Sequence, residues 1–254
     1  MPRKLPPTRD HRHLLFRNAN PNVGTSNAVE LAYSQYATPH RVVGNVSYRF
    51  DYLEHFGTTI SLFYQGSQSG NFSYVTNGDL NGDSNASTDL MYIARSKAEM
   101  NFEQYTATIS GNTVTFTAED QQNAYEEFIN NSSYLKNHRG EYAERNSALL
   151  PWYNNWDFRF LQDFYIETGK NNTRHTLQFS VDILNVGNMI NKDWGIQKMR
   201  VTNNPLVYRS IDATSNEPLY RWQNISGDLV TEPYQDMISP SSTWSMQLGL
   251  RYIF

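Results

Sequence analysis

The chain has 254 residues and a formal net charge of −4 at pH 7, so it carries no basic footprint of the kind that nucleic-acid binding needs. It has no cysteine, which excludes a disulfide framework and any thiolate metal site. No apolar run reaches the ~18 residues of a transmembrane helix; the mean hydropathy of −0.64 still permits a β-barrel, in which only alternate residues of each strand face lipid.

Residues 1–37 read as an N-terminal tail and the remnant of an extracellular loop. The only apolar cluster of the basic stretch Met1–Arg17 is Leu14, Leu15 and Phe16, short of the about 7–15 apolar residues of a secretory signal. A barrel chain that starts this way is expected to lack an N-terminal part. His11 and His13 form an H-x-H pair with no further ligand nearby, and read as tail rather than metal site.

The cleanest predicted strand is 42–52. Val42, Gly44, Val46, Tyr48, Phe50 and Tyr52 alternate with Val43, Asn45, Ser47, Arg49 and Asp51, and successive strand side chains point to opposite faces. A short link at 53–56 leads to a second strand, 57–75, which makes a hairpin with the first. A long polar stretch, 76–155, holds a small hairpin (105–109 with 113–117) around Ser110-Gly111-Asn112. Thr117 to Asp120 resembles a capping box. It opens a helix with Ala124, Tyr125, Phe128 and Ile129 as its apolar stripe, running to about Asn130. A third strand, 156–167, has Gln162 interrupting its apolar face. A turn at 169–173 leads to the fourth, 174–186. A second polar stretch, 187–242, holds another hairpin (207–211 with 219–223).

The last strand is 243–254. Trp244, Met246, Leu248, Leu250, Tyr252 and Phe254 make one apolar wall; Thr243, Ser245, Gln247, Gly249 and Arg251 make a polar one. Lipid-facing barrel strands need this division, with aromatics at the two interfaces, and 17 Tyr residues suit such girdles. The connections alternate short, long, short, long. If Phe254 lies in the periplasm, the short links fall on the periplasmic side and both long loops outside, as in outer-membrane barrels. The fold expected is all-β: an antiparallel transmembrane β-barrel segment of about five spanning strands, an open portion of a larger barrel. Its long extracellular loops carry small hairpins and one short helix.

The sharpest polar constellation is Asp79, Asn81, Asp83, Asn85 and Asp89. Oxygens at alternate positions of a turn suit a hard cation such as calcium. The EF-hand pattern, however, asks for Gly where Ser84 sits and Glu where Leu90 sits, and the acid arrives one residue early. The other reading is a surface turn held by Asx side chains. Trp152, Tyr153, Trp156, Trp194 and Trp222 could stack on a sugar or peptide, but Trp156 at a strand entrance fits a girdle, and the others could pack loops together. Glu126 and Glu127 read as a solvated helix face. Arg49, Asp51, Asp157, Arg159, Asp163, Asp182 and Arg251 form a charged interior wall. No H-E-x-x-H, G-x-S-x-G or P-loop pattern occurs, so no enzyme class gains support.

Several ordered motifs carry a family resemblance. Thr38-Pro39-His40-Arg41 running into VVGNVSYRFDY (42–52), HFGTTISLFYQG (55–66), DLNGDSNASTDLMYI (79–93), RGEYAERN (139–146), PWYNNWDFRFLQDF (151–164) and FSVDILNVGNMIN (179–191) together resemble the late barrel of TonB-dependent receptors from Bacteroidota. The subgroup resembled is the Oar-like one, which carries a carboxypeptidase-regulatory-like domain. The likeness covers residues 38–254, and implies that they are the C-terminal portion of a receptor barrel. The strand ending in Leu248, Leu250, Tyr252 and Phe254 is similar to the assembly signal of bacterial outer-membrane barrels.

The resemblance implies a place in the bacterial outer membrane and a share in energised uptake of a substrate it does not name. The implied partners are outer-membrane lipid, the barrel-assembly machinery, a plug domain and TonB. Bacterial barrels close with about eight strands or more, so five strands imply further wall. Competing readings are a secreted glycan-binding β-sandwich, which would bury both apolar sheet faces in a soluble core, and a non-transporting outer-membrane barrel or adhesin.

Overall fold

The structure is a computed structural model that describes residues 20–24, 31–169 and 173–254. The His11–His13 pair and residues 170–172 of the expected turn lie outside the described residues. The main elements are β1 Arg41–Tyr52, β2 Phe56–Gln68, β3 Val75–Asn77, β4 Asp89–Leu90, β5 Tyr105–Ile109, β6 Asn112–Phe116, α1 Ala118–Asn131, β7 Trp152–Thr168, β8 Thr173–Leu184, α2 Val186–Ile190, β9 Leu206–Ile211, β10 Pro218–Trp222 and β11 Ser245–Ile253. Other strands, of two or three residues each, lie between them. No helix among the described residues is long and apolar enough to cross a membrane. The chain divides into two compact units, each drawn from separated segments.

One unit comprises Thr38–Ser69, Leu150–Met199 and Gln235–Phe254. Its five long strands form one open antiparallel sheet in the order β1-β2-β7-β8-β11, so sequence neighbours are sheet neighbours, as alternation and the short links predict. Residues 53–55 close the β1–β2 hairpin, with Leu53 and Glu54 both at positive φ, the backbone hand that matches strand twist in a tight hairpin. Thr168 pairs with Thr173 across the second short connection.

Strand ends differ from the sequence reading. The second strand stops at Gln68 instead of running to residue 75. Gly70 has φ +143°, and the residues beyond it pair elsewhere: Asn71 and Phe72 with 148–149, Val75 and Thr76 with β4. The third strand starts earlier, at Trp152, in register with Gln68. The fourth ends at Leu184, because Asn185 is left-handed (φ 53°) and caps α2.

The second unit gathers Gly70–Leu149 and Arg200–Tyr234 with described residues up to Ala37. The sequence reading treats these stretches as loops; they build a core. β10-β9-β3-β4 form a four-stranded sheet in which β9 and β3 are parallel. α1 starts at the expected capping box, where Asp120 N–H donates to Thr117 Oγ1 and Thr117 N–H donates back to the Asp120 carboxylate. Its stripe Ala124, Tyr125, Phe128 and Ile129 is buried, and so is Gln121. Trp222, Tyr74, Met91, Ile93 and Leu135 complete the centre. The helix face differs in part from the expectation: Glu126 takes a two-pronged ion pair from Arg139, while Glu127 is exposed.

This core has a consequence at alkaline pH. Burial pushes the Tyr220 phenol up to about 12, and desolvation also raises Tyr74 and Tyr125. An unfolded chain releases these protons near pH ~10. The stability they contribute is therefore complete below pH ~10 and is lost as pH rises toward 12 and beyond. Phenolate absorbance near 295 nm should show a class of tyrosines that ionises only as the α1 circular dichroism collapses. Smooth titration of every tyrosine near pH ~10 with the helix intact would refute it.

Candidate functional site

The sheet of long strands has two chemically distinct faces, set by register. Directly opposed residues of an antiparallel pair share a face. The row Val46–Leu62–Phe158–Ile183–Met246 crosses all five strands, as does Tyr48–Ile60–Phe160–Val181–Leu248. Val46, Tyr48, Phe50, Ile60, Leu62, Phe158, Phe160, Phe179, Val181, Leu248 and Leu250 all lie on this one face. This face is open: Val46, Tyr48, Leu248 and Leu250 are 72, 68, 63 and 73% exposed. The residues likened to an assembly signal, Leu248, Leu250, Tyr252 and Phe254, all lie along it, and Phe254 stacks on Tyr252.

Aromatics gather at both ends of this face. At one end Tyr64 packs against Trp156 with ring centroids 4.5 Å apart. Tyr64 Oη and Trp152 Nε1 donate to the same Asn154 Oδ1, at 2.8 and 2.9 Å. Tyr64 and Trp152 lie over Gly66, where any Cβ would collide with both rings. At the other end Tyr52, Phe56 and Phe164 form a continuous contact chain. There His175 Nδ1 lies 2.7 Å from Tyr252 Oη, with the rings stacked. From Trp244 to Phe254 there are ten residue steps, about 33 Å along a strand, or about 25 Å tall at a ~40° tilt, the height of a lipid-facing band.

Gln162, which interrupts the pattern in the sequence, is satisfied within the apolar face. Its Oε1 accepts from Thr58 Oγ1 at 2.6 Å and from Tyr52 Oη at 3.2 Å; its amide donates to the Gly57 carbonyl.

The opposite face is charged. The row Asp51–Gly57–Asp163–Gln178–Arg251 crosses the sheet. Arg49 reaches across it, donating to Asp163 at 2.7 Å and to Asp51 at 2.9 Å. Gly57 makes this reach possible, since a Cβ there would strike the Arg49 guanidinium and the Asp51 carboxylate. Asp163, whose side chain is only 7% exposed, also accepts from Gln178 Nε2 at 2.8 Å. Arg159 pairs with Asp182, and Asp157 accepts the Asn185 N–H at 2.8 Å. The charges are marked in the sequence by alternation; the role of Gly57 is not, because it depends on a side chain from the neighbouring strand.

The loop between β3 and β4 is compact. The Asp79 carboxylate accepts the N–H groups of Asp83 and Ser84 at 3.0 and 2.9 Å, Asn81 Oδ1 that of Asp83 at 2.9 Å, and Asp83 Oδ1 that of Asn85 at 3.0 Å. These oxygens therefore cap backbone within the loop, as Asx turns do. Ser84, at the EF-hand glycine position, has φ +69°, so it adopts the left-handed backbone asked of that glycine. Asp89 is separate and buried. Its carboxylate accepts Leu80 N–H at 2.7 Å, Asn81 N–H at 3.2 Å and Asn81 Nδ2 at 2.6 Å. Burial holds this carboxyl above the usual range; the two N–H groups pull it down, and the charges of Asp83 and Asp79 push it up again. Among the described residues no group of three or more His, Cys, Asp or Glu is placed to hold a metal ion.

The tryptophans divide. Trp222 is fully buried in its unit's core; Trp152 and Trp156 belong to the aromatic end of the sheet; Trp194 is exposed. No protein-family model, curated protein or solved structure matches the chain.

Proposed function

We propose that the five-stranded sheet is a section of the wall of a bacterial outer-membrane β-barrel, with its apolar face to lipid and its charged face to the lumen. In this reading the wall belongs to a TonB-dependent receptor and contributes to energised uptake, with a plug domain and TonB as partners. The observation that carries it is the register: two apolar rows run unbroken across all five strands on one open face, and a charged network lies on the other. In water such a face is an aggregation surface; in lipid it is the lipid-facing wall. The aromatic ends are spaced for the two interfaces. The sheet's two edges, β1 and β11, are unpaired among the described residues, and long unpaired edges call for a neighbouring strand, which a larger barrel supplies. A soluble sandwich would instead cover the apolar face with a second sheet.

The chain has no native thiol, so single cysteines can be placed along 245–253 and spin-labelled in lipid vesicles. Collision with oxygen should peak at residues 246, 248, 250 and 252. Collision with a water-soluble nickel chelate should peak at 245, 247, 249, 251 and 253. Equal access of the chelate to both sets would overturn the assignment.

A further inference from the structure

The row Trp222–Leu206–Thr76–Asp89–Asn22 crosses the sheet of the second unit. All five residues are buried, none more than 6% exposed. The three at its end carry oxygen. Asp89 is a carboxylate with only neutral N–H donors around it and no ion pair among the described residues. On its two sides, Thr76 Oγ1 and Asn22 Oδ1 are buried and have no hydrogen-bond partner among the described residues. Opposed residues on a sheet face have Cβ atoms about 5 Å apart, which puts the Thr76 and Asn22 side chains on either side of that of Asp89. A third acceptor, the Gly24 carbonyl, lies 2.6 Å from Asn81 Nδ2, which also donates to Asp89.

Two buried, unpartnered oxygens beside a carboxylate that has no counter-charge among the described residues fit a hard cation, which takes carboxylate, amide, hydroxyl and carbonyl oxygens together. We propose that this row is a calcium site, with Asp89 as its charged ligand and Thr76 Oγ1 and Asn22 Oδ1 as neutral ones. It is not an EF-hand. There the alternate loop residues hold the ion, whereas here the side-chain oxygens of Asp79, Asn81 and Asp83 accept backbone N–H groups. One carboxylate among neutral oxygens gives weak affinity, on the order of 0.1–1 mM, the range of extracellular calcium modules.

The test uses the full chain folded in detergent, stripped with chelator and titrated with calcium by calorimetry. Terbium luminescence serves as a second readout, since Trp222 lies three strand spacings from Asp89, about 14 Å, close enough to sensitise it. One saturable site is expected. Asp89→Asn should abolish it, Thr76→Val should weaken it at least tenfold, Thr76→Ser should restore it, and Asp79→Asn should leave it within about threefold. Circular dichroism of α1 confirms that each variant is folded. No binding up to ~10 mM calcium would overturn the site and leave a buried water between the orphaned oxygens. Loss in Asp79→Asn with retention in Thr76→Val would overturn it in favour of an EF-hand-like loop.

Discussion

Replacing Trp222 with alanine is expected to cost about 3–5 kcal/mol, the range for removing a large aromatic from a packed core. The side chain is fully buried and meets Tyr125 and Phe128 edge-on, with ring centroids 5.3 Å away in each case. Its indole N–H donates to the Val230 carbonyl at 2.7 Å, so truncation leaves a cavity and also an unsatisfied buried acceptor. Its backbone is equally engaged: the N–H donates to Gln121 Oε1 at 2.9 Å, and the carbonyl accepts from Tyr105 Oη at 3.1 Å. Trp222→Phe keeps most of the packing and orphans only the carbonyl, for about 1–3 kcal/mol. Trp194→Ala, at an exposed position, should stay within about 0.5 kcal/mol. Urea unfolding followed by the α1 circular dichroism reads all three. A Trp222→Ala midpoint indistinguishable from that of Trp194→Ala would mean that this core does not hold the unit together.

The two units were unequally legible in the sequence. The long strands could be read because each carries its own code: a period of two and few interruptions. Their order followed from the short links, and the shared apolar face from the alternation. Where a strand ends was less legible. Residues 71–75 continue the alternation well enough to extend β2, but Gly70 and the competing partners of Phe72 and Val75 are invisible locally. The second unit's core was not readable as a core, because its parts lie far apart in the chain. Trp222 meets Gln121, Tyr125 and Phe128 across about a hundred residues, and no single window contains the pattern. Gln121 shows the same limit. It looks like a polar helix surface residue, yet its amide donates to the Glu103 and Thr117 carbonyls while its oxygen receives the Trp222 N–H. The spacing from Asp79 to Asp89 located a polar loop, but it could not separate the oxygens that cap backbone from the buried carboxylate beside Thr76 and Asn22. That distinction is made by the pairing of β4 with β3.

Leu248 offers the sharpest contrast between a lipid-facing wall and a surface in water. It sits in the row Tyr48–Ile60–Phe160–Val181–Leu248, midway between the two aromatic ends of the sheet. In water, a side chain 63% exposed should accept arginine at a cost within about 0.5 kcal/mol. At a bilayer midplane the same change should cost about 2–4 kcal/mol. Gln247 is the internal control. It is one residue away on the charged face, opposite Asp182, where an added guanidinium finds a carboxylate and water. Both variants can be unfolded with urea from lipid vesicles of defined thickness, without assembly machinery, so that the terminal residues' resemblance to a sorting signal does not enter. If the proposed wall is right, Leu248→Arg loses about 2–4 kcal/mol and Gln247→Arg little, and the gap narrows when the substitution moves toward Tyr252, where the aromatic end meets the interface and the expected cost falls to about 0–1 kcal/mol. Equal, small losses at Leu248 and Gln247 would mean that the open apolar face does not meet lipid, and would return the sheet to a soluble or partner-covered role.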